Sequence, residues 1–363
     1  MNHPHSIAVM TEIAQTTDSH VSFGSIHEFC KELAEYSKQH HLTLYVTSLP
    51  MYLENEKIGY QWINGEWTKT EVPPAKVIYN RIHSRKAEYS RLFERLIRKL
   101  EDEHVLMFNH RFLHKWEVHE HLLNHAHLHP YLPKTELFAH KQTLDHFLEQ
   151  FPVIFIKPVH GSQGRHIFRI EKTGNDFLLD SSILTKEMVR QYASTSSLFA
   201  ALKERIKSAA IIQQGIAIQT MDGRPVDFRL SCHRIYGGEW RVTSAVARIA
   251  QQEQFVSNLA RGGEIVSIDT VLRQWYGRNK AFWLKTLLKE IALETASILA
   301  SEADGLYGEF GIDIAIDQEN KPWIIEVNTK PSKQTDAAMP NVLIRPSAKA
   351  IIDYCLFLIE QKE

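Results

Sequence analysis

Near the C-terminal end the chain alternates apolar and polar positions on both sides of a polar break. Gly-Ile-Asp-Ile-Ala-Ile-Asp (311–317) runs into Gln318-Glu319-Asn320-Lys321-Pro322, and Trp-Ile-Ile-Glu-Val-Asn-Thr-Lys-Pro-Ser (323–332) follows. Period-two alternation flanking a turn-rich break predicts a β-hairpin. Arms pairing symmetrically about Glu319-Asn320 put Asp313 opposite Glu326, with Asn328 on the same face two residues on. Two carboxylates across a sheet repel, and together with a neutral amide oxygen they form a hard-oxygen set suited to Mg²⁺ or Mn²⁺. Acidic residues on the wet face of an ordinary hairpin are the equally weighted alternative.

Helical spacing predicts helices over 26–40 and 85–103, the latter from Leu92, Phe93, Leu96, Ile97 and Leu100, and a long one over 282–303. The stripe Leu284, Leu287, Leu288, Ile291, Ile298, Leu299 reads as core packing. Strands are expected over 42–48, on either side of the Asn64-Gly65 turn signal, and at Val77-Ile78-Tyr79. The fold class is α/β (α+β). The change of pattern near Asn109 divides an N-terminal α/β domain (1–108) from a second domain (109–360).

The run Val153 to Ile156 ends in Lys157-Pro158, and Gly161-Ser162-Gln163-Gly164-Arg165 then leads into a second strand. Glycines let backbone N–H groups approach a phosphate, and a strand-end lysine adds a point charge. The spacing matches neither a Walker A loop nor a dinucleotide turn, and a plain hairpin turn would use the same residues. Ala209 to Ile218 is an apolar strand ending in Gln213-Gln214-Gly215-Ile216, able to read adenine through its backbone or simply to fill a core. Arg229 and Arg248 lie inside strand-like runs, where each needs a phosphate, a carboxylate or an internal salt bridge.

Composition then narrows the class. With 363 residues, 44% hydrophobic and 23% charged, the chain is long enough for two or three packed lobes. A net charge of -1 and the lack of a basic stripe with interleaved aromatics speak against a nucleic-acid partner. Three scattered cysteines suit a reducing compartment, and no segment reaches membrane-spanning length, so a cytoplasmic protein is expected. The 20 histidines crowd between His104 and His146 without the cysteine or carboxylate frame of a zinc site, and are read as helix-face residues.

The ordered set resembles an ATP-grasp enzyme. More closely, Phe-Leu-His-Lys-Trp-Glu-Val-His (112–119), Tyr-Leu-Pro-Lys-Thr-Glu-Leu (131–137), Lys-Pro-Val-His-Gly-Ser-Gln-Gly-Arg (157–165), Val-Asp-Phe-Arg-Leu (226–230), Ser-Asn-Leu-Ala-Arg-Gly-Gly (257–263) and the hairpin resemble the YheC/YheD group, spore-coat-associated proteins of endospore-forming bacteria. The likeness covers about residues 105 to 345 and reaches the first hundred only through Val-Ile-Tyr-Asn-Arg (77–81). It implies an ATP-grasp domain of two α+β subdomains, 109–212 with a flap and 213–345 with the metal and phosphate groups, nucleotide lying between them. Lys115 and Lys157 would hold ATP phosphates, and Gly161, Ser162, Gln163 and Gly164 would form the flap. Gln213, Gln214 and Ile216 would line the adenine pocket, and Asp313, Glu326 and Asn328 would hold one or two Mg²⁺ ions. Arg229 and Arg248 would steady the transferred phosphoryl group, with Asn258 and Gly262-Gly263 toward the acceptor. His166 stands where the group more often has a small residue.

The function so implied is an ATP- and Mg²⁺-dependent ligase joining a small-molecule or peptide carboxylate to an amine through an acyl phosphate, linked to sporulation. A spore-coat scaffold that keeps the fold and binds coat proteins without catalysing ligation is the rival.

Overall fold

The computed structural model describes residues 5–15, 20–161, 166–181, 189–251, 263–333 and 343–362. The chain builds three large sheets, each with its own apolar core. The first is mixed: Ser6–Met10, Thr43–Thr47, Val77–Asn80 and Leu106–Phe108 run parallel, and the hairpin Ile58–Ile63/Glu66–Glu71 adds an antiparallel edge. Two of its inner strands, Ser6–Met10 and Val77–Asn80, are buried along their whole length, as expected where helices cover both faces of a parallel sheet. Asn64 and Gly65 both take positive φ (50° and 90°), the turn that matches strand twist in a two-residue hairpin loop.

The stripe over 85–103 does not form one helix. It breaks at Tyr89 and Ser90 into Arg85–Glu88 and Arg91–Asp102, because Ser90 Oγ accepts a hydrogen bond from Phe93 N and starts the second helix. The long helix begins earlier than expected, as Ile268–Glu302, and loses helical geometry only at Gly277 (φ 70°, ψ 177°). Its Leu284, Leu288, Ile291, Ile298 and Leu299 pack beneath the third sheet, as their spacing predicts.

The C-terminal helix Pro346–Glu360 touches strands of both the first and the third sheets. It lies against helix His27–Gln39, and Ala348, Ile351, Ile352, Cys355 and Leu358 complete the core of the first sheet. The chain therefore closes back on its first domain. The second sheet is antiparallel, in the order 190–192, 176–181, 168–173, 153–158, 210–214 and 135–137, backed by Lys141–Gln150 and Thr195–Arg205. Strand Ala210–Gln214 belongs to this sheet as a whole, so the division at 212 falls inside one element.

The third sheet carries the expected hairpin. Glu309–Ile316 pairs antiparallel with Pro322–Asn328, and Asp313 faces Glu326. The register is reached in an unexpected way. Next to the turn Ile316 faces Pro322 and Ile314 faces Ile324, a register centred on Glu319 that would put Asp313 opposite Ile325. A bulge at Ile325 absorbs the extra residue and returns Glu326 to the face of Asp313.

Candidate nucleotide and metal site

Lys115 is the first residue of helix Lys115–Leu123. The helix starts where it does because His114 and Glu117 form a capping box: Glu117 N donates to His114 Nδ1 (3.1 Å) and His114 N to the Glu117 carboxylate (3.3 Å). Lys115 N donates to Val159 O (3.2 Å), which pins the helix start to the end of strand Val153–Pro158. From there Lys115 Nζ reaches Glu326 Oε1 (2.7 Å) and Gly161 O (3.0 Å).

Lys157 projects from its strand toward the same cleft and donates to Gln213 Oε1 (2.6 Å), while Gln213 Nε2 donates to Thr135 Oγ1 (3.0 Å). Burial pulls the Lys157 pKa down to about 8, opposed by Glu326 and reinforced by Lys115. Period two then separates its neighbour: Gln214 accepts from Lys134 N (3.2 Å) on the other face. The cleft between the second and third sheets encloses a cavity of about 50 Å³. Val118, Leu122, Leu132 and Ile324 give it apolar walls, and Lys115, Lys157 and Glu326 line its polar end. The apolar side chain that strand Ala210–Gln214 gives this wall is Ile211.

On the face that Glu326 shares, the buried residues Arg229, Asp313, Arg248 and Asp227 form a chain of ion pairs. Arg229 clasps Asp313 through Nε and through Nη2 (2.8 Å to Oδ2). Arg248 clasps Asp227 in the same bidentate way (2.6 and 2.8 Å) and brings Nη2 to 2.9 Å from Asp313 Oδ2. The two arginines outweigh burial and hold the Asp313 carboxyl below its usual range; for Glu326 the charge of Lys115 does the same. Asn328 gives Nδ2 to Asp313 (3.4 Å), leaving Oδ1 as the atom that would ligate a cation. The salt-bridge alternative for Arg229 and Arg248 is thus the arrangement seen, and the carboxylate they hold is one of the expected metal ligands.

A profile of YheC/D-like ATP-grasp proteins matches residues 104–358. The chain belongs to that family. Among named relatives of this YheC/D-like chain, the endospore coat-associated protein YheD of Bacillus subtilis (strain 168) is 29% identical over 278 residues, an alignment taking in 76% of this chain and 61% of YheD. The chain thus spans less than two thirds of that relative. The endospore coat-associated protein YheC of the same strain is 23% identical, over 76% of each. Solved structures with the same fold include the VanG D-Ala:D-Ser ligase of Enterococcus faecalis (TM-score 0.56, 12% identity, 98% of this chain and 100% of that one). Another is the N5-carboxyaminoimidazole synthase of Aspergillus clavatus, in complex with ADP and a ribonucleotide (TM-score 0.57, 11% identity, 97% and 77%).

In this YheC/D-like chain the fold therefore gathers Lys115, Lys157, Gly161, Gln213, Glu326, Asp313, Asn328, Arg229 and Arg248 into one region, while Ser162, Gln163, Gly164, Asn258 and Gly262 lie outside the described residues. Sequence reasoning missed Asp227, although it stands in the same Val-Asp-Phe-Arg-Leu run as Arg229. It also missed a buried group behind the hairpin. Glu309 accepts from Tyr79 Oη, Arg81 Nη1, Asn109 Nδ2 and Lys333 Nζ (2.5–2.8 Å), and Lys330 pairs with Glu88. Of the crowded histidines, His121 and His125 clasp Glu302, while His119 is buried in the cleft wall and held neutral, its pKa pulled down to about 4 by desolvation. Among the described residues no group of three or more His, Cys, Asp or Glu could by itself hold a metal ion, and no described helix is long and apolar enough to cross a membrane.

Proposed function

We propose that this chain is an ATP- and Mg²⁺-dependent ligase that activates a carboxylate as an acyl phosphate and passes it to an amine. The observation that carries the reading is the meeting of Lys115, Lys157 and Glu326 in one cleft whose other lining is mainly apolar. That combination suits a planar base inside and a polyphosphate at the rim.

The donors fit magnesium only in company. Lys115, Lys157, Arg229 and Arg248 face Asp227, Asp313 and Glu326, a surplus of one positive charge that repels a bare dication. A triphosphate reverses that balance. Asp313, Glu326 and Asn328 would then hold Mg²⁺ from the protein side, as this ion is commonly held by one or two carboxylates plus substrate phosphates. Bound there, it would neutralise charge on the phosphate oxygens.

The chain's own residues orient and neutralise. Lys115 and Lys157 bind phosphate oxygens as point charges. Arg229 and Arg248, fixed by Asp313 and Asp227, present a rigid cationic face that needs no reorganisation when charge develops on the transferred group. The substrate carboxylate oxygen attacks the γ-phosphorus, ADP leaves, and an amine then displaces phosphate from the acyl carbon, giving an amide.

The printed names of both relatives support a second reading, a coat-associated protein linked to sporulation that binds nucleotide without ligating anything. One experiment addresses both. Glu326→Gln removes a metal-ligand charge and is expected to abolish Mg²⁺-dependent ATP binding by calorimetry while far-UV circular dichroism stays native. Unchanged nucleotide affinity in that variant overturns the site. Wild-type protein that binds MgATP but releases no ADP with pooled carboxylates and amines favours the coat reading.

A further inference from the structure

Just beyond the nucleotide cleft, three cations crowd the ring of Phe112 and the carbonyl of Gly161. Lys330 Nζ sits 4.9 Å from the Phe112 ring centroid and is paired with Glu88, whose other oxygen accepts from Phe112 N (2.9 Å). Lys115 reaches Gly161 O and is paired with Glu326. The third is Arg85, from the first domain. Its guanidinium also lies 4.9 Å from the Phe112 centroid, and Nη2 makes a long bond to Gly161 O (3.4 Å). Arg85 is half-buried, its Nη1 is sealed from solvent, and that atom has no hydrogen-bond partner among the described residues.

A buried guanidinium N–H without an acceptor is costly, and native structures seldom keep one without a reason. Its neighbours show what is missing: each of the other two cations has a carboxylate, and Arg85 has only a carbonyl and a ring. The planar fork of arginine is matched by the two oxygens of a carboxylate or phosphoryl group. Arg85 is also placed past the nucleotide. It does not line the apolar cleft, whereas Lys115, with which it shares Gly161 O, does. An anion bridging to Arg85 would therefore lie beyond the phosphate lysine, where the first domain meets the site.

We propose that Arg85 binds an oxyanion at this junction, either the substrate carboxylate that is to be activated or the terminal phosphoryl group it receives. This rests on the ligase reading and assigns the first domain a direct part in it: recognition of the reacting anion. The neighbouring groups suit that role, since Glu88 and Glu326 are already engaged by Lys330 and Lys115 and leave Arg85 as the cation of the three without a carboxylate.

The test compares wild type with R85Q and R85K by calorimetry, using MgADP, the magnesium complex of the non-hydrolysable ATP analogue AMPPNP, and inorganic phosphate or acetate titrated into the MgADP complex. MgADP affinity is expected to be equal in all three proteins, which also shows that the variants fold. R85Q is expected to lose about tenfold in affinity, the order of one charge-assisted contact, for AMPPNP or for the small anion. R85K is expected to fall between, having the charge without the fork. Loss confined to AMPPNP assigns Arg85 to the terminal phosphoryl group, and loss confined to acetate or phosphate assigns it to the substrate anion. Equal affinities of wild type and R85Q for every probe overturn the proposal, with the ligase reading intact. Wild type that binds no MgADP overturns that reading, and this proposal with it.

Discussion

Lys157 shows how one residue's surroundings set a measurable property. Its ammonium is partly desolvated and rests on a neutral amide oxygen, that of Gln213, while Glu326 and Lys115 act on it in opposite senses. With its pKa drawn down from 10.5 to about 8, the free protein carries a full charge there below that value and loses it above. A phosphate arriving beside it favours the protonated form and raises the pKa again. Nucleotide binding should therefore take up a proton between about pH 8 and 10.5, and affinity should fall as pH rises through about 8. Calorimetry in buffers of different ionisation heat reads the proton directly. Lys157→Met should bind nucleotide more weakly at pH 7 and show no such uptake. Wild-type binding that is independent of pH over this window would mean that Lys157 does not meet phosphate.

At the scale of elements, the hairpin was legible and its construction was not. Period-two alternation placed both arms, and the facing of Asp313 and Glu326 followed from symmetry about Glu319-Asn320. What alternation cannot show is a bulge, because a bulge is an inserted residue whose side chain, here Ile325, is apolar like its neighbours. Similarly, the apolar stripe Leu92 to Leu100 lies wholly in the second helix, and the break before it was hidden because the capping role of Ser90 depends on where its hydroxyl points. Local polar chemistry decides such cases, and the turn of this hairpin is a further instance. The Asp317 carboxylate accepts from Glu319 N (2.9 Å), Lys321 N (2.8 Å) and Trp323 Nε1 (2.7 Å), which fixes the register on which the bulge builds. Asp317→Ala leaves those donors unmet and should destabilise the protein by about 1–3 kcal/mol in urea unfolding. A change below about 0.5 kcal/mol would show that the turn is held by other contacts.

For the whole molecule, the joint between the first and third sheets rests on Glu309, a residue whose role no periodicity reveals because its partners come from four distant parts of the chain. One fully buried carboxylate there compensates Arg81 and Lys333, with Tyr79, Asn109 and His233 around it. The C-terminal helix Pro346–Glu360 shows the same limit: its apolar face says that it packs, not that it packs against His27–Gln39. Replacing Glu309 by Gln keeps the volume and removes the charge, so two buried cations lose their counter-ion. Removing one partner of a buried ionic group typically costs about 3–5 kcal/mol, and Glu309→Gln should lower stability by that order at pH 7. The pH dependence gives a sharper test. Lys333 and Arg81 hold the Glu309 carboxyl well below the ordinary value of 4.5 despite burial. A depressed carboxylate contributes stability that is present above 4.5 and lost as pH falls toward the folded-state value. The gap between wild type and Glu309→Gln should therefore be widest near neutrality and narrow in acid below about 4.5, where the unfolded wild-type chain gains a proton that the folded protein resists. Urea unfolding of both proteins at pH 7 and at successively lower pH measures it. A gap that is absent at pH 7, or that stays constant in acid, would show that the two sheets are joined by their apolar packing and that Glu309 is a passenger.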